Sequence, residues 1–478
     1  MKLSQLLEGI TVCSAGADMD AEISEVCYDS RAVRPGDLFV AIRGFETDGH
    51  RYIAGAMERG AAAVVCEEAP EGVPAVVVED SRAALAAIGA NRYGHPAESM
   101  TMIGVTGTNG KTSTTYFIKA VLEARGAKVG LIGTNQNLIG DEVLETERTT
   151  PESYELQALF ARMRDAGCTH AVMEVSSHAL ALKRVYGIRF QVALFTNLTQ
   201  DHLDFHGTME EYRKAKALLF AQADRGIINL DDPAAAQMIA DAKCPATTFA
   251  AHAAGADLRA ENIRLGAEGV HFTAADAEEA AEIEMQIPGA FTVSNTLGAL
   301  AVCRALGVPL AESAGALRAV PGVKGRIEVV PTPADYTVLI DYAHSPDGIV
   351  NVLTAVRGFA KGRVIALFGC GGDRDKTKRP KMGAAADRLA DYCIVTSDNP
   401  RTEDPDAIIA DILTGMGDTP RAVIASRPDA IRFALGFAQA GDVIVLMGKG
   451  HETYQEINHV KRHLDEREEV AKYFGKNG

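Results

Sequence analysis

Between residues 102 and 230 the chain alternates continuous apolar runs with stretches of helical periodicity, and this alternation constrains its fold more than any other feature. The runs at 102–105, 129–132, 171–175, 192–195 and 226–230 lack the polar–apolar alternation of a half-exposed strand. Unbroken runs of this kind suit strands covered on both faces, as in a parallel sheet between helices. Residues 112–124 and 152–166 carry helical patterns between them. The expectation is an α/β fold with a doubly wound central domain.

A second alternation follows Pro321-Gly322-Val323-Lys324-Gly325. Its strands are expected at 337–341, 363–368, 392–396, 422–425 and 442–447, with helices near 347–359, 380–390, 405–415 and 428–439. This segment is Rossmann-like but has no GxGxxG fingerprint, so no dinucleotide site is assigned to it. Residues 1–98 hold shorter apolar runs at 37–41, 62–66 and 75–78 and read as a small α/β unit. The Ala-rich stretch 250–290 reads as an inserted antiparallel segment. At about 150 residues per domain, 478 residues make about three. The expected boundaries are 1–98, 99–325 and 326–478.

Hydrophobic residues at 47% supply real cores, and a charged fraction of 23% argues against wholesale disorder. The net charge of −16 opposes binding to a nucleic acid, although a local basic pocket can still hold phosphates. No run of about 20 apolar residues is present, so no transmembrane helix is expected. The first residues start like a signal peptide, but Gln5 and Glu8 interrupt the apolar region, and the stretch reads as an amphipathic helix. Val12 is a poor residue to precede a lipoprotein cleavage at Cys13. Eight cysteines form no CxxC pair, which fits a reducing cytoplasm.

The sharpest motif is Thr106-Gly107-Thr108-Asn109-Gly110-Lys111-Thr112-Ser113, which follows a strand and opens a helix. Its glycines let backbone N–H groups curl around phosphates, and the helix dipole favours the negative charge. Lys111 would meet the terminal phosphates of ATP, and the Thr112 hydroxyl can ligate Mg²⁺. A strict P-loop has glycine where this chain has Val105, so the motif is a variant. Glu174, at the end of a neighbouring strand, is placed to take Mg²⁺ directly or through water. Asp201-His202-Leu203-Asp204-Phe205-His206 follows the next strand. Alone it reads equally as a zinc site or a polar loop; beside a P-loop, His202 becomes a candidate for the Mg²⁺ shell.

Together these motifs resemble the Mur ligases, cytoplasmic enzymes that build the peptide of peptidoglycan. The resemblance runs along essentially the whole chain. It includes the Thr106–Thr112 loop, Glu174-Val175-Ser176-Ser177-His178, Thr196-Asn197-Leu198, Asp201-His202-Leu203-Asp204, Asn295, Gly325-Arg326, Asp341-Tyr342-Ala343-His344 and Asp398-Asn399-Pro400-Arg401. It implies an ATP-dependent ligase in which a substrate carboxylate becomes an acyl phosphate and an amine then attacks the carbonyl. The substrates implied are ATP with Mg²⁺, UDP-N-acetylmuramoyl-L-alanyl-D-glutamate and meso-2,6-diaminopimelate. Asn295, Arg326, Asp341 and His344 match residues around the nucleotide. Lys216 matches a family lysine that reacts with CO₂ to form a carbamate, an N6-carboxylysine able to hold a second Mg²⁺. That reaction needs a neutral amine and hence a depressed pKa. Read by sequence alone, Lys216 is a solvated lysine, with Lys214 as its decoy two residues away.

Arg374 and Arg401 each follow a strand of the last domain, where open α/β sheets bind ligands. An arginine fork takes a carboxylate through two parallel hydrogen bonds, and diaminopimelate has a distal carboxylate that lysine lacks. Arg401 therefore favours diaminopimelate, with Asp398, Asn399, Pro400, Gly448 and Glu452 matching further contacts to the amino acid. Ser30 matches a uridine-side residue, and Thr149, Thr150, Ser176 and Arg184 match contacts to the sugar-peptide. Leu182 stands where some relatives have glutamine. Two alternatives are a ligase of the same fold that adds lysine or glutamate, folylpolyglutamate synthases among them, and a P-loop switch that regulates a partner without acyl transfer.

Overall fold

The computed structural model describes residues 1–44, 47–146, 148–266 and 268–477. It divides into two compact units, residues 1–248 and 249–478. The first unit opens with a five-stranded sheet of β1 (Val12–Ala15), β2 (Val26–Cys27), β3 (Leu38–Val40), β4 (Ala63–Cys66) and β5 (Ala75–Val78), in the order β1-β5-β4-β3-β2. Only β1 runs antiparallel. Helix α1 (Ser81–Tyr93) starts where the Asp80 carboxylate accepts the Ala83 N–H and stops at Gly94, whose φ is 66°. The amphipathic helix expected at the N-terminus is a single turn, Leu3–Leu6, because the chain turns away at Gly9 with φ 74°.

The central sheet follows as expected. It contains β6 (Thr101–Thr106), β7 (Val129–Ile132), β8 (Asn137–Ile139), β9 (Glu142–Leu144), β10 (His170–Glu174), β11 (Phe190–Phe195) and β12 (Ala223–Asn229). Helices α2 (Lys111–Ala124), α3 (Ser153–Asp165) and α4 (Met209–Ala217) connect them. In the first unit the strand order is β12-β11-β6-β10-β7-β8-β9, and every pairing is parallel as far as β7. The chain passes from β10 to β11 across β6, so β6 lies at the switch point where such sheets open a crevice beyond their strand C-termini. The P-loop leaves from that point. Ile103, Val105, Met173, Ala193 and Phe195 are fully buried there, each contributing about 1.5–3 kcal/mol where the side chain is large. Helix α3 closes on the sheet because Gly130 has no side chain: a Cβ there would lie 2.3 Å from the Met163 sulfur.

In the second unit Phe249 and Ala250, at the end of β13 (Ala246–Ala250), pair with β14 (Leu258–Gly266). β14, β15 (Gly269–Ala275) and β16 (Ala280–Met285) are antiparallel, as expected for 250–290, and lead into helix α5 (Ala290–Ala305). The six-stranded sheet then has the order β17-β18-β22-β19-β20-β21. Its strands are β17 (Glu328–Val330), β18 (Thr337–Asp341), β19 (Val364–Phe368), β20 (Tyr392–Val395), β21 (Arg421–Val423) and β22 (Val443–Met447). Helices α6 (Pro346–Arg357), α7 (Lys378–Leu389), α8 (Pro405–Leu413) and α9 (Arg427–Phe437) lie between them. A hairpin of β23 (Tyr454–Ile457) and β24 (Val460–His463) and helix α10 (Glu466–Asn477) complete the unit. Among the described residues no helix is long and apolar enough to cross a membrane.

Candidate active site

Gly107 cannot be replaced without moving its neighbours, since its φ is 148° and a Cβ would lie 1.9 Å from Thr196 Oγ1. The close approach lets the end of β11 brace the P-loop. Thr108 N–H donates to the Asn197 carbonyl and Asn109 N–H to Asn197 Oδ1, each at 2.9 Å. Thr196 Oγ1 donates to the Asn109 carbonyl at 2.6 Å. Gly110, with φ 86°, then turns the chain into α2, where Lys111 and the buried Thr112 begin the helix and Ser113 follows half-buried.

Two lysines meet at one carbonyl. Lys111 Nζ donates to Gly107 O at 3.0 Å and to Thr108 O at 2.9 Å, and Lys216 Nζ donates to the same Gly107 O at 2.9 Å. Lys216 is 1% exposed and lies 4.3 Å over the Tyr212 ring. The reading of Lys216 as a solvated residue is therefore wrong: α4 turns it inward with Tyr212, four residues earlier on the same face. Lys214 is the exposed member and pairs with Glu211 at 3.0 Å. Burial, reinforced by the charge of Lys111, holds the Lys216 amine well below the usual lysine range.

Glu174, 1% exposed, ends β10 opposite Val105. Its carboxylate accepts the Thr134 N–H at 2.9 Å and the Thr134 hydroxyl at 3.0 Å. Thr134 Oγ1 also lies 3.0 Å from Thr149 Oγ1, and the Thr150 hydroxyl donates to the Glu174 carbonyl at 2.9 Å. Ser176 N–H donates to Thr150 Oγ1, and Arg184 Nη1 donates to the Thr150 carbonyl, both at 3.1 Å. Thr149, Thr150, Glu174, Ser176 and Arg184 thus form one network. Ser30 lies half-buried in the turn after β2, and among the described residues no hydrogen bond joins it to that network. Glu152 was not anticipated. This buried carboxylate caps α3 and pairs with Arg184 at 3.3 Å and with Arg82 of the N-terminal sheet region at 3.5 Å.

His202, at φ 53°, sets its ring edge-on to His178 with centroids 4.7 Å apart. Burial pushes His178 down to about 4. Among the described residues no group of three or more His, Cys, Asp or Glu side chains could hold a metal ion by itself. Thr112, Glu174, His202 and Lys216 all lie at or around the crevice of the central sheet. They would suit Mg²⁺ when phosphate oxygens complete the set and Lys216 is a carbamate.

In the second unit Asn295 is buried inside α5 rather than capping it. Asp341 ends β18 and accepts the Ile327 and Ala343 N–H groups, each at 2.8 Å. Burial raises its carboxyl, against the pull of Arg326. The Arg326 guanidinium stacks 5.1 Å over Tyr342, whose carbonyl lies 2.8 Å from His344 Nδ1. Gly325 is required here, since a Cβ would lie 2.2 Å from His451 N. Gly325-Arg326, residues 341–344 and Gly450-His451 therefore converge.

The expected amino-acid residues also come together. Asn399 Oδ1 accepts Lys449 Nζ at 3.1 Å, and Asn399 Nδ2 donates to Glu452 Oε2 at 2.9 Å. Lys449, fully buried, reaches the same Glu452 oxygen at 3.0 Å. Gly448 backs onto Asp398, where a Cβ would lie 2.4 Å from Oδ2. Burial alone would raise Asp398, but Lys449 and Arg427 hold it below the usual carboxylate range. Arg401, with φ 50°, donates from Nη1 to the Gly372 carbonyl at 2.7 Å and pairs through Nε with Glu456 at 3.2 Å. Arg374 is exposed at the rim. Its loop is tied to that of Arg401: Glu403, two residues after Arg401, accepts the Asp373 N–H at 2.6 Å, the Pro400 carbonyl accepts the Glu403 N–H, and fully buried Arg379 pairs with Glu403 at 2.8 Å. Lys449, Arg379 and Glu456 were not anticipated. Lys449, between two glycines, carried a signal; Arg379, in a run of surface-like cations, did not.

A family model described as "Mur ligase family, catalytic domain" matches residues 22–93, "Mur ligase middle domain" matches 105–303, and "Mur ligase, glutamate ligase domain" matches 325–450. The UDP-N-acetylmuramoyl-L-alanyl-D-glutamate–2,6-diaminopimelate ligase of Caldanaerobacter subterraneus subsp. tengcongensis is 50% identical over 477 residues, covering 98% of each chain. The protein of that name from Clostridium botulinum is 47% identical over 457 residues, covering 94% of each. A solved structure of a ligase of that name is 30% identical, with a TM-score of 0.73, covering 100% of this chain and 99% of its own.

Proposed function

The chain belongs to the Mur ligase family, and on that premise we propose that it couples ATP cleavage to joining meso-diaminopimelate to the D-glutamate of UDP-N-acetylmuramoyl-L-alanyl-D-glutamate. It is an ATP-dependent ligase of peptidoglycan precursor synthesis. A carboxylate oxygen of the UDP substrate attacks the γ-phosphorus, and the bond to ADP breaks. The amine of diaminopimelate then attacks the acyl phosphate carbonyl, loses a proton, and inorganic phosphate leaves. The reacting groups are anions, so positioning and cation clamping supply most of the acceleration.

The observation that carries this reading is the Gly107 carbonyl shared by Lys111 and buried Lys216. The braced amides of residues 107–113 cradle the phosphates, and Lys111 swings from the loop carbonyls to the terminal phosphate. Lys216, held neutral by burial and by Lys111, attacks CO₂: an N–C bond forms, a proton leaves, and an anion replaces the amine. Thr112, Glu174, His202 and the Lys216 carbamate would hold Mg²⁺, which neutralises charge on the phosphoryl oxygens. Asn295, Arg326, Asp341 and His344 take the nucleotide. Ser30, Thr149, Thr150, Ser176 and Arg184 take the UDP substrate. Arg374, Asp398, Asn399, Pro400, Arg401, Gly448 and Glu452 take diaminopimelate.

These roles divide the chain into a UDP-substrate domain (1–98), an ATP domain (99–325) and an amino-acid domain (326–478). Eight free cysteines and the use of ATP and a nucleotide sugar suit the cytoplasm. The test is product mass from ATP, the UDP-muramoyl-dipeptide and diaminopimelate. Phosphate release that ignores the carboxylate substrate would sink the ligase reading, and equal rates with lysine would sink the choice of amine.

A further inference from the structure

Arg401 is held by more than its own loop. Its backbone lies in the left-handed region at φ 50°, a conformation costly for a residue with a Cβ and kept only where neighbours enforce it. The enforcing element is the β23–β24 hairpin. Arg401 N–H donates to the Glu456 carbonyl at 3.1 Å, and Asn458 N–H donates to the Arg401 carbonyl at 2.8 Å. The hairpin's further ties reach the same segment: Glu456 N–H to Asn399 Oδ1 at 2.9 Å and Gln455 Nε2 to the Asp398 carbonyl at 2.7 Å. The outer strand β24 is exposed throughout. The hairpin is thus built against the Asp398–Arg401 turn.

The side chain is fixed as well. The guanidinium has about five N–H donors in a rigid fork. Glu456 takes Nε–H, and the Gly372 carbonyl takes one hydrogen of Nη1. Among the described residues Nη2 makes no hydrogen bond and Nη1 keeps a second hydrogen, so with Nε taken the Nη1–Nη2 edge is the one with donors to spare. That edge can receive a carboxylate through two parallel hydrogen bonds. Gly371 leaves room for this pose, since a Cβ there would lie 3.0 Å from Arg401 Nη1.

We propose that Glu456 is a specificity-determining positioning residue: by occupying Nε of Arg401 it aims the other edge of the guanidinium at a second carboxylate of the incoming amino acid. This rests on the diaminopimelate reading above. Glu456 also places a negative charge near the ligand's carboxylate, which works against binding. At half-buried positions that repulsion is screened, whereas a bidentate contact is lost once the fork rotates, so orientation outweighs repulsion.

The test is steady-state kinetics of the full-length protein with E456A, E456Q, R401A and the R401A/E456A pair, alongside thermal melts. Glutamine keeps an acceptor for Nε–H and drops the charge. E456A is expected to raise KM for diaminopimelate about ten-fold, leave kcat and the KM of ATP and of the UDP substrate within about two-fold, and lower the preference over lysine in proportion. E456Q should stay near wild type. E456A should add nothing in the R401A background, because it acts through Arg401. The proposal is overturned if E456A and E456Q both leave KM for diaminopimelate unchanged or both lower it. It is equally overturned if every constant shifts together with a drop in Tm. A wild-type protein that releases no phosphate on adding diaminopimelate would instead defeat the underlying reading.

Discussion

Replacing Lys111 with methionine should prevent the proposed carbamate from forming on Lys216. Both lysine nitrogens reach Gly107 O, at 3.0 and 2.9 Å, so they stand close together beneath the P-loop. Two like charges about 5 Å apart at an effective dielectric of about 20 repel by about 3 kcal/mol. That repulsion opposes protonation of Lys216 and keeps its amine available to CO₂. Once the carbamate forms, the same separation becomes an attraction of about the same size. Lys111→Met removes both effects while preserving the length of an apolar stem, so carbamate occupancy at fixed CO₂ and pH should fall at least about ten-fold, each 1.4 kcal/mol being worth that factor. The assay is ¹³C NMR of protein equilibrated with labelled bicarbonate, with Lys216→Met as the blank. Wild-type signal should also fade as pH drops, because the protonated amine cannot attack CO₂. A Lys111→Met protein labelled as fully as wild type would refute the argument that the paired cations control Lys216.

Lys216→Met should abolish ligation yet raise the melting temperature, since a buried amine is replaced by an apolar side chain. Because the folded pKa of Lys216 is depressed, the unfolded chain binds more protons between that value and about 10.4. Wild-type stability therefore climbs with pH across this window, and the variant's advantage should shrink as pH rises; a gap that widens with pH would contradict the assignment. Gly448→Ala places a Cβ 2.4 Å from Asp398 Oδ2 at a φ of 115°. It should cost about 1–3 kcal/mol in melts and raise KM for the amino acid more than for ATP; equal rises would place the damage elsewhere. Thr134→Val leaves buried Glu174 one donor short, a loss of about 1–3 kcal/mol. It should raise the Mg²⁺ concentration needed for half-maximal activity, and an unchanged Mg²⁺ curve would remove Glu174 from the metal's surroundings.

The strands that build the sites were legible because they are buried on both faces. The runs 102–105, 129–132, 192–195 and 442–447 became β6, β7, β11 and β22 to within a few residues. The strands that escaped are short or polar. β8 and β9 have three residues each, and the β23–β24 hairpin carries Gln, Glu, Lys, Arg and His on strands that never enter a core. A period-2 pattern needs a buried face to be visible, and the hairpin has none. What the hairpin touches is the Asp398–Arg401 turn, through Asp398, Asn399 and Arg401.

Among the charged residues, periodicity held information that residue type concealed. Tyr212, Ala215, Lys216 and Leu219 follow helical spacing and are all buried, so the apolar stripe of α4 and the turn after it already enclosed Lys216. Buried cations elsewhere have carboxylates at salt-bridge distance: Lys449 with Glu452 at 3.0 Å, Arg379 with Glu403 at 2.8 Å and Arg427 with Glu466 at 2.8 Å. Those pairs hold loops in place at fixed charge. Lys216 meets a carbonyl and a ring, and among the described residues no ion pair reaches it. A buried amine that no ion pair reaches, next to a second cation, is costly to protonate. That is the environment in which an amine gives up its proton, and it sets Lys216 apart from the paired cations named above.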